Sequence, residues 1–178
     1  MERTPQQLGK WRKAKGGAGE RELKKLIDSY GFTAERTQQF CGKGSDSADV
    51  RSNIPGLYIE SKRYADDVHN KHTMIHSWLE QAKIDAKGKA TPVVFVRSDR
   101  QEWFAYLYQN ARVWDIVTDS VIVTDTVIVR IRAKDLLDAL AKALQCPRCK
   151  SVMPERRFIC EDCEEELKNG TTSCDSNI

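Results

Sequence analysis

The chain has 178 residues, 40% of them hydrophobic and 31% charged, with a formal net charge of +3; that suits one ordinary domain with a small appendage. No apolar run reaches the roughly 18 residues of a membrane span, and the polar, basic start lacks an apolar h-region, so a membrane or secreted protein is not expected and a cytoplasmic one is. Charge is uneven: residues 1–25 carry eight Lys and Arg against three Glu, and residues 160–178 carry six acidic residues against one Lys, which points to one surface that meets a polyanion.

In chain order, residues 1–17 read as a flexible basic arm ending at Gly16-Gly17. From Ala18 to Tyr30, Leu23, Leu26, Ile27 and Tyr30 recur at helical spacing, and Gly31 closes the helix. Phe32 to Gln38 alternates as a strand does, and Cys41 to Ser47 is a glycine- and serine-rich loop. Ala48–Arg51 and Leu57–Arg63 read as two strands around a turn at Asn53-Ile54-Pro55-Gly56. A second helix is expected over His72–Lys87 with Ile75, Leu79, Ala82 and Ala86 inward. Thr91–Val96 reads as a buried strand and Glu102–Tyr108 as its partner. The duplicated TDSVIV and TDTVIV of residues 118–129 favour strands with a turn at Thr124-Asp125, and a third helix covers Ala133–Leu144. This order predicts an α/β fold, a mixed β-sheet core flanked by helices.

The chemistry concentrates on Asp49 and on Glu60-Ser61-Lys62. Side chains alternate faces along a strand, so Glu60 and Lys62 share a face and Ser61 takes the other. The turn at residues 53–56 folds the strand bearing Asp49 beside them, so two carboxylates and an ammonium converge near a strand end. Phosphodiester hydrolysis uses such a set: hard oxygen ligands suit magnesium, the metal polarises phosphate and acidifies water, and a lysine orients or deprotonates the attacking water and offsets charge. Asp49 and Glu60 are the expected direct ligands, the Ser61 backbone carbonyl a third, and Glu20 on the first helix a further carboxylate. An isolated Glu-x-Lys is most often a solvated ion pair. Here the strand is otherwise apolar, an acid precedes it across a turn, and basic residues crowd nearby.

GERELKKLIDSYGF, SADV, LYIESKR and HSWLEQAKIDAKGKATPVVFV follow one another in an order that resembles the PD-(D/E)xK nuclease superfamily, and within it the archaeal and phage-type Holliday junction resolvases. The resemblance covers roughly residues 16–108 and implies a restriction-endonuclease-like fold. By position it places the helix glutamate on Glu20, the metal carboxylates on Asp49 and Glu60, the catalytic lysine on Lys62 and a supporting helix glutamine on Gln81. Glu22 is an alternative to Glu20 but points elsewhere on the helix. Ala48 stands where the superfamily's motif has proline. The resemblance further implies Mg2+ or Mn2+ at the active site, branched four-way DNA as substrate and a homodimer, with the host cytoplasm as location if the source is a phage. Lys10, Arg12, Lys13, Lys15, Arg36, Lys43, Arg51 and Arg63 are the candidate DNA-backbone contacts.

Cys146-x-x-Cys149 and Cys160-x-x-Cys163 have the spacing of a tetrahedral four-cysteine zinc site in a small ribbon or knuckle outside the resemblance, where the metal would supply the folding energy. The chain thus divides into an arm (1–17), a nuclease core (18–144), a zinc module (145–167) and a polar tail (168–178). His72 and His76 lack the glutamate of a zincin motif and read as surface or DNA-facing residues. Trp11 in the arm is a weak candidate for base stacking, while Trp78, Trp103 and Trp114 read as core. Two alternatives to junction resolution are another nuclease of the superfamily, in repair, recombination or restriction, and a non-catalytic zinc-containing nucleic-acid-binding adaptor.

Overall fold

The computed structural model describes residues 4–37, 48–108, 120–123 and 126–145. The loop at 41–47 with Lys43, the turn at Thr124-Asp125, Trp114 and the four cysteines expected to bind zinc lie outside the described residues.

Among the described residues the chain forms α1 (Pro5–Asp28), β1 (Ala34–Arg36), β2 (Val50–Ser52), β3 (Leu57–Tyr64), α2 (His72–Ala86), β4 (Thr91–Ser98), β5 (Phe104–Tyr108), β6 (Ser120–Val123), β7 (Thr126–Arg132) and α3 (Ala133–Ala143). The strands make one mixed sheet in the order β1-β2-β3-β4-β5-β7-β6. β3 and β4 are parallel, from Leu57 opposite Thr91 to Tyr64 opposite Ser98. A parallel pair needs a crossover, which α2 supplies. The other pairs are antiparallel.

Alternation sorts the core into two layers. Ile59, Val93, Phe95, Ala105, Leu107 and Ile131 face α1 and α3, meeting Leu23, Ile27, Leu136, Leu137 and Leu140. Tyr58, Val94, Val96, Tyr106, Tyr108 and Ile128 face α2 and meet Ile75, Leu79, Ala82 and Ala86. β4 is central, so Val93, Val94, Phe95 and Val96 are all fully buried, as its unbroken apolar run predicts.

The expected basic arm is corrected by the structure: residues 5–17 are the first half of α1, and the boundary drawn after Gly17 falls inside a helix. The helix starts early because Thr4 and Gln7 form a reciprocal capping box and Pro5 occupies the first turn. Gly17 and Gly19 serve close approach rather than a break. A Cβ at position 19 would stand 3.0 Å from the Arg63 Cβ, and one at 17 would stand 3.3 Å from an Arg36 nitrogen. Farther along, Gly31 at φ 83° turns the chain out of the helix region toward β1.

Ion pairs hold α1 on the sheet. Glu22 accepts from Arg63 and Arg97, each at 2.6 Å, and Lys15 reaches Asp99 at 2.6 Å. Lys15, Arg36 and Arg63, expected on DNA, therefore have internal partners.

At position 16 a Cβ meets nothing within 4 Å, so Gly16→Ala raises unfolding stability by about 0.5–1 kcal/mol through helix propensity. Gly19→Ala lowers it, because the new methyl pushes α1 off Arg63. Urea denaturation of the two variants measures both signs, and a stabilised Gly19→Ala would show that α1 is not packed as described.

Candidate active site

β2 is short. Its bridge to β3 joins Val50 to Ile59, and one residue earlier Asp49 takes over from the ladder: its Oδ2 accepts the Ser61 backbone N–H at 2.9 Å. This bond pins the carboxylate beside β3. The turn that permits it is set by Asn53, whose backbone N–H donates to the Thr33 carbonyl and whose side-chain oxygen accepts the Thr33 N–H at 2.8 Å. Gly56, at φ 73°, takes the left-handed conformation before β3 begins.

On β3, Lys62 Nζ lies 2.8 Å from Glu60 Oε2 and 3.8 Å from Asp49 Oδ2. The side chains of Asp49, Glu60 and Lys62 are only 14%, 13% and 28% exposed. The expected convergence is present. Burial pushes the Glu60 carboxyl up to about 7; the neighbouring Asp49 charge acts in the same direction, and Lys62 opposes both. Burial would depress the Lys62 ammonium, but the charges of Glu60 and Asp49 outweigh that and hold it above the ordinary lysine range.

Glu20 does not join them. Its carboxylate is bound by Arg36, at 2.7 Å from Nε and 2.6 Å from a terminal nitrogen. α1 lies on the Ser61 and Arg63 face, as the closeness of Gly19 to both side chains shows, whereas Glu60 and Lys62 project from the other. Among the described residues no three His, Cys, Asp or Glu side chains are placed to hold one metal ion, so the described site has two carboxylates and a lysine. Glu22, the alternative, is taken up by Arg63 and Arg97.

Gln81 is exposed, and its amide donates to Asp85 at 3.0 Å. It stands on the flank of α2 that carries Trp78 and Asp85. Trp78 stacks on Tyr64 of β3, and the Asp85 charge acts on Tyr58, so this flank borders the face of β3 bearing Glu60 and Lys62. Lys10 and Lys13 on α1 and Arg51 on β2 have exposed side chains, and the side chain of Arg12 lies outside what is described. His72 is exposed and His76 half-buried.

Sequence reasoning passed over the tyrosines of this face and took Trp78 for core. The signal was the period of two: Tyr58, Glu60, Lys62 and Tyr64 fall on one side of one strand. It also passed over His69, which is buried with its Nδ1 at 2.7 Å from the Tyr106 hydroxyl.

A family model described as "Phage putative PDDEXK endonuclease" matches residues 11–145. Among solved structures the chain is similar to Hjc, a Holliday junction resolvase from the archaeal hyperthermophile Archaeoglobus fulgidus, at 17% identity and a TM-score of 0.40 over 68% of this chain and 91% of that one. No curated protein matches it.

The buried carboxyl pair has a pH signature. Glu60 is held at about 7 in the folded protein against an ordinary 4.5, so between those values the folded state binds more protons than the unfolded state. Metal-free protein then loses stability as pH rises from about 5 to 7, by roughly 3 kcal/mol at most. Glu60→Gln removes that loss. Denaturation in EDTA at a series of pH values reads it as the difference between the two proteins, and parallel pH profiles would contradict the buried-pair description.

Proposed function

The chain belongs to the phage PDDEXK endonuclease family, and from that membership we propose that it hydrolyses DNA phosphodiesters with a divalent metal at Asp49 and Glu60, acting on branched four-way junctions. The observation that carries the reading is the convergence of Asp49, Glu60 and Lys62 where β2 leaves β3.

The residues fit a hard divalent cation such as Mg2+ or Mn2+. Burial, with the Asp49 charge acting in the same direction, keeps Glu60 partly protonated near neutrality, and a cation between the two half-buried carboxylates relieves both effects. Asp49 and Glu60 would hold the ion, with the Ser61 backbone carbonyl as a further oxygen donor. When bound, it neutralises phosphate charge and activates water. Lys62, held charged by its neighbours, is suited to donate to a phosphate oxygen or orient the attacking water, and less suited to remove a proton. The Asp49–Ser61 bond fixes one carboxylate without cost at the moment of reaction. Glu20, bound by Arg36, is not assigned to the ion, and Gln81 is assigned to the rim.

Junction selectivity and a homodimer rest on the sequence resemblance to junction resolvases over roughly residues 16–108, since two opposed strands must be cut. Lys10, Lys13 and Arg51 are the proposed backbone contacts with exposed side chains, joined by Arg12 and Lys43. Contacts of this kind make binding fall steeply with salt. Cys146, Cys149, Cys160 and Cys163 are proposed to bind one structural Zn2+. Among the described residues no helix is long and apolar enough to cross a membrane; the host cytoplasm is the proposed place of action.

The test is cleavage of a labelled synthetic four-way junction beside plain duplex, with Mg2+ or Mn2+. Paired cuts in the junction are expected. Lys62→Ala and Asp49→Asn should each lower the rate at least about a hundredfold, with junction binding by Lys62→Ala nearly unchanged. Equal cutting of duplex would remove the junction claim, and no cutting with either metal would remove the nuclease claim. The same preparation should carry one zinc per chain, lost in Cys149→Ser; zinc-free protein would refute the four-cysteine site.

A further inference from the structure

The face of β3 that carries Glu60 and Lys62 continues to Tyr64. Tyr64 is stacked on Trp78 of α2, with ring centroids 5.2 Å apart and planes inclined by 27°. On the same sheet face Val94, Val96, Tyr106 and Tyr108 are buried, whereas Tyr64 and Trp78, like Phe104, are half-buried and pack at the margin of that core. A half-buried aromatic pair therefore stands at the margin of the core, its tyrosine two residues along the strand from Lys62, a distance of about 7 Å. That matches the step between neighbouring nucleotides in an extended strand.

The chemistry of such a surface is specific about DNA conformation rather than sequence. Every base has a π-face that stacks on an aromatic ring. In a regular duplex those faces are covered by the bases above and below, and only edges and phosphates are offered. A base that has lost its partner or its stack, at a flap, a gap or a branch point, presents a face.

We propose that the Tyr64–Trp78 pair is a stacking platform for an unstacked nucleobase next to the scissile phosphate, making DNA whose stacking is interrupted at the cleavage site, as at a branch point, the preferred substrate. This rests on the nuclease reading above and adds to it the physical source of structure selectivity. The phosphate is handled by Asp49, Glu60 and Lys62, and the flanking base by the aromatic pair one strand step away.

The experiment separates the two. A branched substrate is cleaved and its cut mapped, and the nucleotide flanking the cut is then replaced by an abasic residue. For wild-type enzyme kcat/KM should fall about tenfold on losing that base, within the range of single base–aromatic stacks. In Trp78→Leu, which keeps apolar bulk without the ring, the ratio between base-containing and abasic substrate should collapse toward one. Trp78→Phe should retain most of it. The abasic comparison on wild-type enzyme needs no variant, so it decides even if Trp78→Leu fails to fold. A wild-type ratio of one, or an unchanged ratio in folded Trp78→Leu, overturns the platform while leaving the nuclease intact. Should wild-type protein cut nothing, the nuclease reading fails, and the same ratios read as metal-free affinities by fluorescence anisotropy still decide whether the pair binds a base.

Discussion

Asp49 occupies the place where a strand should continue and does not. β2 leaves the ladder after pairing Val50 with Ile59, and the next N–H of β3 that needs a partner on that side, that of Ser61, is satisfied by a side chain instead of a backbone carbonyl. A charged acceptor on a backbone donor is a strong, well-directed bond. It holds a carboxylate against the sheet within reach of Glu60 and Lys62, which the alternation of β3 already places on a common face. The cost is two acids crowded together under partial burial, visible in the raised Glu60 carboxyl. Lys62 offsets only part of it. A metal-free site of this kind is under electrostatic tension, and a divalent cation is the species that relieves it.

Other packing keeps β3 fixed. Its parallel partner β4 is buried on both faces. On the side away from Glu60, α1 approaches closely enough that Gly19 has no room for a side chain, and Glu22 joins Arg63 of β3 to Arg97 of β4. On the other side, α2 packs Ile75, Leu79, Ala82 and Ala86 onto the sheet and leaves the flank with Trp78, Gln81 and Asp85 along the site. Charge that composition alone would assign to a polyanion is partly taken up inside the protein. Lys15, Arg36 and Arg63 hold α1 and β1 in place before any DNA arrives.

These assignments mark where sequence reasoning reaches. Short-range patterns were legible: the period of two gave β3 and the common face of Glu60 and Lys62, the helical period gave all four inward residues of α2, and the apolar run gave β4. Asp49 was found because its relation to Glu60 depends on one tight turn. Pairings between distant segments were not legible. Nothing local in the sequence tells Lys15 that Asp99 waits 84 residues away, or Arg63 that Glu22 lies 41 residues back, so both basic residues were read as DNA contacts. Gly16-Gly17 reads as the end of an arm, whereas the helix runs through both, and Gly17 with Gly19 serves close contact between backbone and side chain. Glu20, expected as a further carboxylate of the cluster and matched by the resemblance, depends on how α1 packs, and the packing of α1 on the opposite sheet face gives that carboxylate to Arg36.

Calorimetric titration of the protein with Mn2+, in buffers of different ionisation enthalpy, tests without any substrate whether Asp49 and Glu60 form one divalent-metal site. Glu60 is mostly protonated at pH 6 and ionised at pH 8, so binding should release about one proton at pH 6 and almost none at pH 8. Both Asp49→Asn and Glu60→Gln should abolish that binding. Proton release that does not change with pH, or undiminished binding by either variant, would show that the two carboxylates do not share one ion.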